Sequence, residues 1–528
     1  MPAPLESPVS MEAPAKIRTR HSGLEPRPRR LSLRLLRLHR ACDDLSGMLI
    51  YVMVVFSPWA FGATQPWSIW TMNGLGYLLG IFLGIKLAIR NRTGYQPARW
   101  SENNVNARND EARLMRWLIR TLAAMTLLLL AYCLAGVINA RSTYRADSAS
   151  FDYHPFVFWL PNSHDRHGGW LAFCNYLALA LAFWSVRDWI LGKSVNEERA
   201  ERSPLNVLGL RPAFALPERL RLLLWVLCIN GGLLGIEGIV QRLAGTDKLL
   251  FFMETRINKA AVDQFGSYAY RSNAAQYFNL VWPACLGFWC SLQSAVQKKK
   301  SPFKARHLIA ACVMIMAAAP IISSTRAGAI VAVIELALAV GILCFARPQT
   351  SFKMRMGILF SAVLTLGFGA WLGWATLEPR LEPEAFQNSL AGRNDLYETA
   401  RQMAADYPVF GTGPGTFEPL FQIYRVNPDE YWPAQLHNDW LQTLITFGWA
   451  GSLLIAIAFG CVLVRPFIAG GIAGGRELTL LLWVSLAGCL LHARYDFPFQ
   501  ICSVLFVFLL LCAILSCLSR HSTRTDMR

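Results

Sequence analysis

Long apolar runs separated by short polar segments dominate the chain, and their length predicts membrane-crossing helices rather than a soluble core. The run from Ala327 to Ala346 is long enough to cross roughly 30 Å of hydrocarbon as a helix. Only a helix satisfies its own backbone there, and the alternation that a barrel strand requires is absent. The pattern predicts an all-α polytopic protein of about twelve spans. They fall near 45–63, 67–89, 117–139, 169–191, 222–244, 273–292, 307–323, 327–346, 355–375, 438–464, 477–493 and 499–518. This divides the chain into a basic, disordered tail (1–44), nine spans (45–375), a large loop (376–437), and three further spans with the C-terminus (438–528). The two halves show no internal repeat, which argues against an inverted-repeat transporter.

The polar segments then orient the helices. Clusters at Lys86, Arg90, Arg92 and Arg99, at Arg187, Lys193, Arg199 and Arg202, and at Lys298, Lys299, Lys300 and Lys304 recur on alternate sides. By the positive-inside rule both termini are expected in the cytoplasm. The excess positive charge of +17 therefore reads as topology and not as a nucleic-acid face. Met1 to Arg40 is rich in Pro and Arg without an apolar core, so it is no cleavable signal. Cysteines such as Cys133, Cys228, Cys312 and Cys489 lie within apolar runs, which disfavours disulfides or a cysteine-bound zinc site.

The outward loops, Ala140 to Gly168, Ala244 to Arg271 and Leu377 to His437, carry the candidate chemistry. In the last, Leu396, Ala400 and Met403 share one helical face, so Asp395 to Ala405 predicts a short amphipathic helix on the membrane surface. Gly411 to Gly415, in Gly-Thr-Gly-Pro-Gly, reads as a turn; no Gly-Lys-Ser/Thr follows to make it a phosphate loop. Arg326, between two apolar runs, either snorkels to headgroups or binds phosphate at a helix start. Arg393 shares its side, and two guanidinium forks converging there would hold a diphosphate. His437 opens His-Asn-Asp-Trp-Leu, where Asn438 or Asp439 caps the next helix or His437 acts as a base. His154, His164, Asp165 and His167 fit no standard metal spacing and read as solvated loop residues. His492, Arg494 and Asp496 occupy a tight hairpin, with an Arg/Asp pair holding it as the expectation and a site wall as the alternative.

Several blocks together resemble the O-antigen ligase and O-antigen polymerase family of bacterial membrane glycosyltransferases. They are Pro58 to Pro66, Gly238 to Lys248, Tyr270 to Asn279, Ser324 to Gly328, Gly392 to Phe417, Leu436 to Leu441 and Leu491 to Pro498. The resemblance implies a GT-C-like enzyme that takes a glycan from a polyprenyl diphosphate, usually undecaprenyl, without a metal ion or other cofactor. It matches His437 to the catalytic histidine, and Arg326 and Arg393 to the diphosphate-binding arginines. Arg271 and Asn273 match a further polar block; these two, with Asp439, are the candidate substrate-binding residues. The acceptor separates an O-antigen ligase acting on lipid A core from a polymerase extending a glycan and from a protein O-oligosaccharyltransferase. A lipid-linked-oligosaccharide flippase is the rival from another class. It would need polar residues through the bundle, whereas here they gather in loops. A metal-dependent oligosaccharyltransferase would need acids in the first outside loop, and Gly62 to Trp67 contains none.

Overall fold

The computed structural model describes residues 32–100, 109–201, 216–296, 305–345, 351–425, 433–468 and 475–518. Most of the basic tail and the Lys298–Lys300 cluster lie outside them. The described chain is a helical bundle. The elements are α1 (Leu33–Trp59), α2 (Pro66–Thr93), α3 (Asn109–Ile138), α4 (Arg166–Leu191), α5 (Val195–Glu201), α6 (Glu218–Ala244), α7 (Arg271–Val296) and α8 (Ala305–Ile322). They continue with α9 (Arg326–Phe345), α10 (Phe352–Leu381), α11 (Pro383–Asp406), α12 (Phe417–Tyr424), α13 (Asp439–Ile468), α14 (Arg476–His492) and α15 (Cys502–Cys517).

Among the described residues, eight helices are long and apolar enough to cross a membrane: α1, α2, α3, α4, α6, α9, α10 and α13. The chain is a helical polytopic membrane protein. Helices α7, α8, α14 and α15 stand where four more spans were expected. Two of these form the centre. Helix α7 is buried on nearly every side, with Trp282, Phe278 and Phe288 enclosed by α6, α8, α9, α14 and α15. Helix α15 is apolar all round and equally enclosed, as such a helix must be when it faces only other helices. Outer helices behave oppositely. Helix α10 turns Phe360, Val363 and Trp371 outward, which suits hydrocarbon and not water. All thirteen cysteines are free and buried.

Three expectations need correction. Helix α1 begins at Leu33, well inside the segment read as tail, because Ser32 caps it by accepting from the Leu35 amide at 3.3 Å. The Ala140 to Gly168 loop contains an antiparallel hairpin, β1 (Ser142–Arg145) and β2 (Ser150–Tyr153), with Ser142 opposite Tyr153 and Arg145 opposite Ser150. The amphipathic helix is longer than Asp395 to Ala405: Pro383 opens α11 directly after α10. Its face is the expected one, but Ala400 and Met403 are fully buried against Phe417, Phe421, Leu436 and Ile445. That face is covered by protein, not by a membrane surface.

The Gly411 to Gly415 segment is more than a turn. Helix α13 breaks at Gly448 (φ 57°, ψ −169°), which frees backbone groups on both sides of the break. Residues before α12 pair with them. The Thr412 and Gly413 amides donate to the Ile445 and Thr446 carbonyls at 2.8 and 3.0 Å. The Trp449 and Ala450 amides donate to the Pro408 and Val409 carbonyls at 2.8 and 3.0 Å. A Cβ at Gly448 would lie 2.3 Å from the Val409 oxygen, so backbone meets backbone here and glycine is required. The Tyr132 hydroxyl donates to the Phe410 carbonyl at 2.5 Å and lies 2.8 Å from the Phe447 carbonyl, sealing the clasp from α3.

Candidate functional site

The site gathers where the segment entering α13 meets the α14–α15 hairpin. Asn438 caps α13 by accepting from the Leu441 amide at 3.2 Å, as the capping reading required. This cap leaves His437 just outside the helix in a left-handed backbone conformation (φ 57°), which costs a non-glycine residue about 1 kcal/mol or more and persists only where surroundings hold it. Two contacts hold it. The Tyr397 hydroxyl of α11 donates to the His437 carbonyl at 2.9 Å. The imidazole Nδ1 lies 2.9 Å from Asp496 Oδ1. The ring also packs edge-on against Phe497 at 4.8 Å, and Phe497 stacks on Tyr270 at 5.8 Å.

Asp496 is only 2% exposed. Burial by itself raises its carboxyl, yet the hydrogen bond and charge of His437, the nearby His492 and the Ser272 hydroxyl together hold it below the ordinary carboxylate value. An ionised Asp496 accepts from Nδ1–H, so in the neutral imidazole the other ring nitrogen, Nε2, carries the lone pair. Its side chain is 18% exposed, enough for a small group to reach it. The expected Arg494/Asp496 pair does not form: Arg494 is exposed, with its guanidinium over the Tyr495 ring at 5.8 Å. Asp496 walls the site instead.

Arg393 sits within α11 and not at its start, and its Nη1 donates to the Tyr495 carbonyl at 3.3 Å, beside Asp496. Arg326 opens α9, and the Arg393 charge bears on it. The turn before α9 is tightly specified: Ser324 has φ 61° and its hydroxyl hydrogen-bonds Thr376 of α10. His437, Arg393 and Arg326 are thus brought to one end of the bundle. The remaining candidates have other engagements. Arg271 bonds Asp263 Oδ1 at 2.6 Å and the Val262 carbonyl at 2.8 Å, anchoring the loop before α7. Asp439 is 1% exposed, and its oxygens accept from the Phe499 amide at 2.6 Å and Gln500 Nε2 at 2.9 Å, which pins the turn entering α15. Asn273 is buried beside Ser272, and its Oδ1 has no hydrogen-bond partner among the described residues.

Ser272, Tyr270 and Tyr397 were not among the candidates, and Asp496 entered only as the alternative site wall. The available signal was a carboxylate in an otherwise apolar hairpin, Tyr-Asp-Phe-Pro, since a buried acid needs a partner. The polar residues of the 140–168 loop differ: His164, expected to be solvated, is buried. His154 bonds the Thr143 hydroxyl at 2.9 Å, and Asp165 caps α4 through the His167 and Gly168 amides at 3.1 and 2.8 Å. Among the described residues no three His, Cys, Asp or Glu side chains converge in a metal-binding group.

The fold and site define a helical polytopic membrane protein with a buried carboxylate–histidine pair beside two guanidinium groups. Residues 311–456 match the family model described as O-Antigen ligase, which bears out the resemblance over that segment; the blocks before residue 311 and after residue 456 lie outside the match. The matched segment contains Arg326, Arg393 and His437 and ends before Asp496. No curated protein matches the chain.

Proposed function

We propose that the protein transfers a glycan from a polyprenyl-diphosphate carrier to an acceptor hydroxyl on the outer face of the bacterial inner membrane, as an O-antigen ligase-like glycosyltransferase. The observation that carries this reading is the Asp496–His437 pair, because it fixes the imidazole tautomer and turns Nε2 into a base beside Arg393. Nε2 takes the acceptor hydroxyl proton as its oxygen bonds the anomeric carbon. The bond from that carbon to the diphosphate oxygen breaks, and the electron pair leaves on the lipid diphosphate. Arg326 and Arg393 neutralise that charge as it develops, which supports direct displacement without a metal ion. Outside the cytoplasm nucleotide sugars are absent, so the donor must carry its own activation. The alternating basic clusters support the orientation, with both termini in the cytoplasm and all twelve helices crossing.

The test is purified full-length protein in detergent, given polyprenyl-diphosphate glycan and a lipid A core acceptor. His437→Ala should lose on the order of 10²- to 10⁴-fold in turnover while donor binding stays near parental. A stable variant that transfers at the parental rate removes His437 as the base. Activity should also persist in EDTA; loss in EDTA with recovery on Mg²⁺ would overturn the two-arginine role.

A further inference from the structure

A cavity opens between the 140–168 loop and the segment from Tyr407 to Tyr424, away from His437. It encloses about 180 Å³ and is lined by Arg141, Tyr153, His164, Tyr407 and Tyr424 among others. This is below the roughly 300 Å³ at which pockets for drug-sized ligands begin, so it accepts one ring and not a long chain. The decisive group is His164, only 3% exposed. Its Nδ1 lies 3.2 Å from the Thr412 carbonyl, an acceptor, so Nδ1 carries the hydrogen. Its Nε2 is buried with no hydrogen-bond partner among the described residues. Burial and the neighbouring Arg141 charge push His164 down to about 4, so near neutral pH the ring is uncharged and Nε2 is a bare acceptor.

Arg141 supplies the complementary donor. Its guanidinium is held between the Phe156 and Tyr407 rings at 5.0 and 5.9 Å, and its buried Nε is unpartnered. The Tyr407 ring meets the His164 ring at 4.5 Å, and the Tyr424 hydroxyl donates to Asp406 at 2.7 Å, which fixes the aromatic wall. A bare acceptor beside a fixed donor matches a hydroxyl group, which donates to one and accepts from the other. Aromatic walls suit the apolar face of a pyranose ring.

We propose that this cavity is a sugar-binding subsite that holds one hydroxyl-bearing ring of the glycan at a distance from the reacting carbon. Helix α11 sets that distance. It carries Arg393 at the His437 site and ends at Tyr407 in the cavity, roughly 21 Å along its axis at about 1.5 Å per residue. The glycan assignment rests on the proposed transferase reading; the cavity's donor–acceptor pair does not.

The test uses full-length protein in detergent and a panel of methyl glycosides of glucose, galactose, mannose and N-acetylglucosamine, with binding read by saturation-transfer NMR. At least one glycoside should bind. His164→Asn keeps an amide donor toward Thr412 but removes Nε2, and Arg141→Gln removes the guanidinium; each should weaken binding about tenfold, the worth of one hydrogen bond. His437→Ala should bind the glycoside as the parent does. In the transfer assay, a raised KM for donor in His164→Asn assigns the ring to the donor glycan, and a raised KM for acceptor assigns it to the acceptor. If no glycoside binds the parent, if both cavity variants bind undiminished, or if His437→Ala abolishes binding, the subsite is overturned. If glycoside binding is lost in His164→Asn while the parent transfers no glycan, the transferase reading fails and the subsite stands.

Discussion

The two ends of the helical bundle treat arginine and lysine in opposite ways. At one end, Asp188 accepts Lys86 at 2.9 Å, Arg90 at 2.6 Å and Arg99 at 3.0 Å, while Asp43 takes Lys86 at 3.0 Å and Arg219 at 2.7 Å. Two carboxylates thus tie α1, α2, α4 and the start of α6 together, and the Lys86 side chain is completely buried within the lattice. At the other end Arg393 rests on a carbonyl, Arg326 feels the Arg393 charge, and the nearby carboxylate Asp496 is committed to His437 and Ser272. The first arrangement fastens helices. The second brings two guanidinium charges near one another while its buried acid, Asp496, is committed to His437 and Ser272, an arrangement that suits an anionic ligand.

The contrast yields predictions that separate chemistry from stability. The largest effect is expected for Asp496→Asn, which removes the charge that selects the His437 tautomer. Turnover should fall on the order of 10²- to 10⁴-fold, and the pH profile of kcat should shift with it. Equal loss without any change of profile would leave Asp496 a merely structural residue. Next, Asp188→Asn strips a carboxylate from three cations at the opposite end, one of them fully buried. It should lower stability by about 3 to 5 kcal/mol in thermal unfolding while turnover per folded molecule stays near parental. A specific loss of turnover there would erase the division of labour between the two ends.

Arg393→Lys keeps the charge and loses the planar fork. It should cost about 1.5 to 3 kcal/mol in transition-state stabilisation, read from kcat/KM, with little change in melting temperature. Parental kcat/KM in this variant would show that a point charge suffices. The smallest effect concerns His164, whose ordinary value of 6.5 falls to about 4 in the folded protein. In that window the unfolded chain binds the proton more readily, so this stability is present above about 6.5 and is lost as pH falls toward 4. The loss should be about 1 kcal/mol at about pH 6, and His164→Asn should flatten it. An unchanged slope in the variant would return that acid sensitivity to other groups.

What the sequence made legible follows from the range of each interaction. The apolar face of α11 was readable because Leu396, Ala400 and Met403 obey a local period, whereas what covers it depended on Phe421, Leu436 and Ile445. The helical start at Leu33 was hidden by the polar composition around it and revealed only by the Ser32 cap. His437, Arg326 and Arg393 were singled out by type and position between apolar runs. Their neighbour Asp496 was paired with Arg494 by proximity in the chain, but the buried carboxylate reaches across to the segment that enters α13. The clasp at Gly448 escaped because its hydrogen bonds join backbones far apart in sequence, and no side-chain pattern encodes them.

The clasp also dictates an order of assembly. Residues 408–413 leave the ribosome before residues 445–450, and their backbone partners do not exist until the broken part of α13 has been made. During synthesis residues 408–413 cannot make these bonds until the following helix has been made. Only then do Thr412, Gly413, Trp449 and Ala450 close the joint and draw His437 to its place beside Asp496. A chain cut short within α13 would therefore carry the whole loop at 376–437 and still have no site, because the partners of its backbone and of His437 come later in the chain.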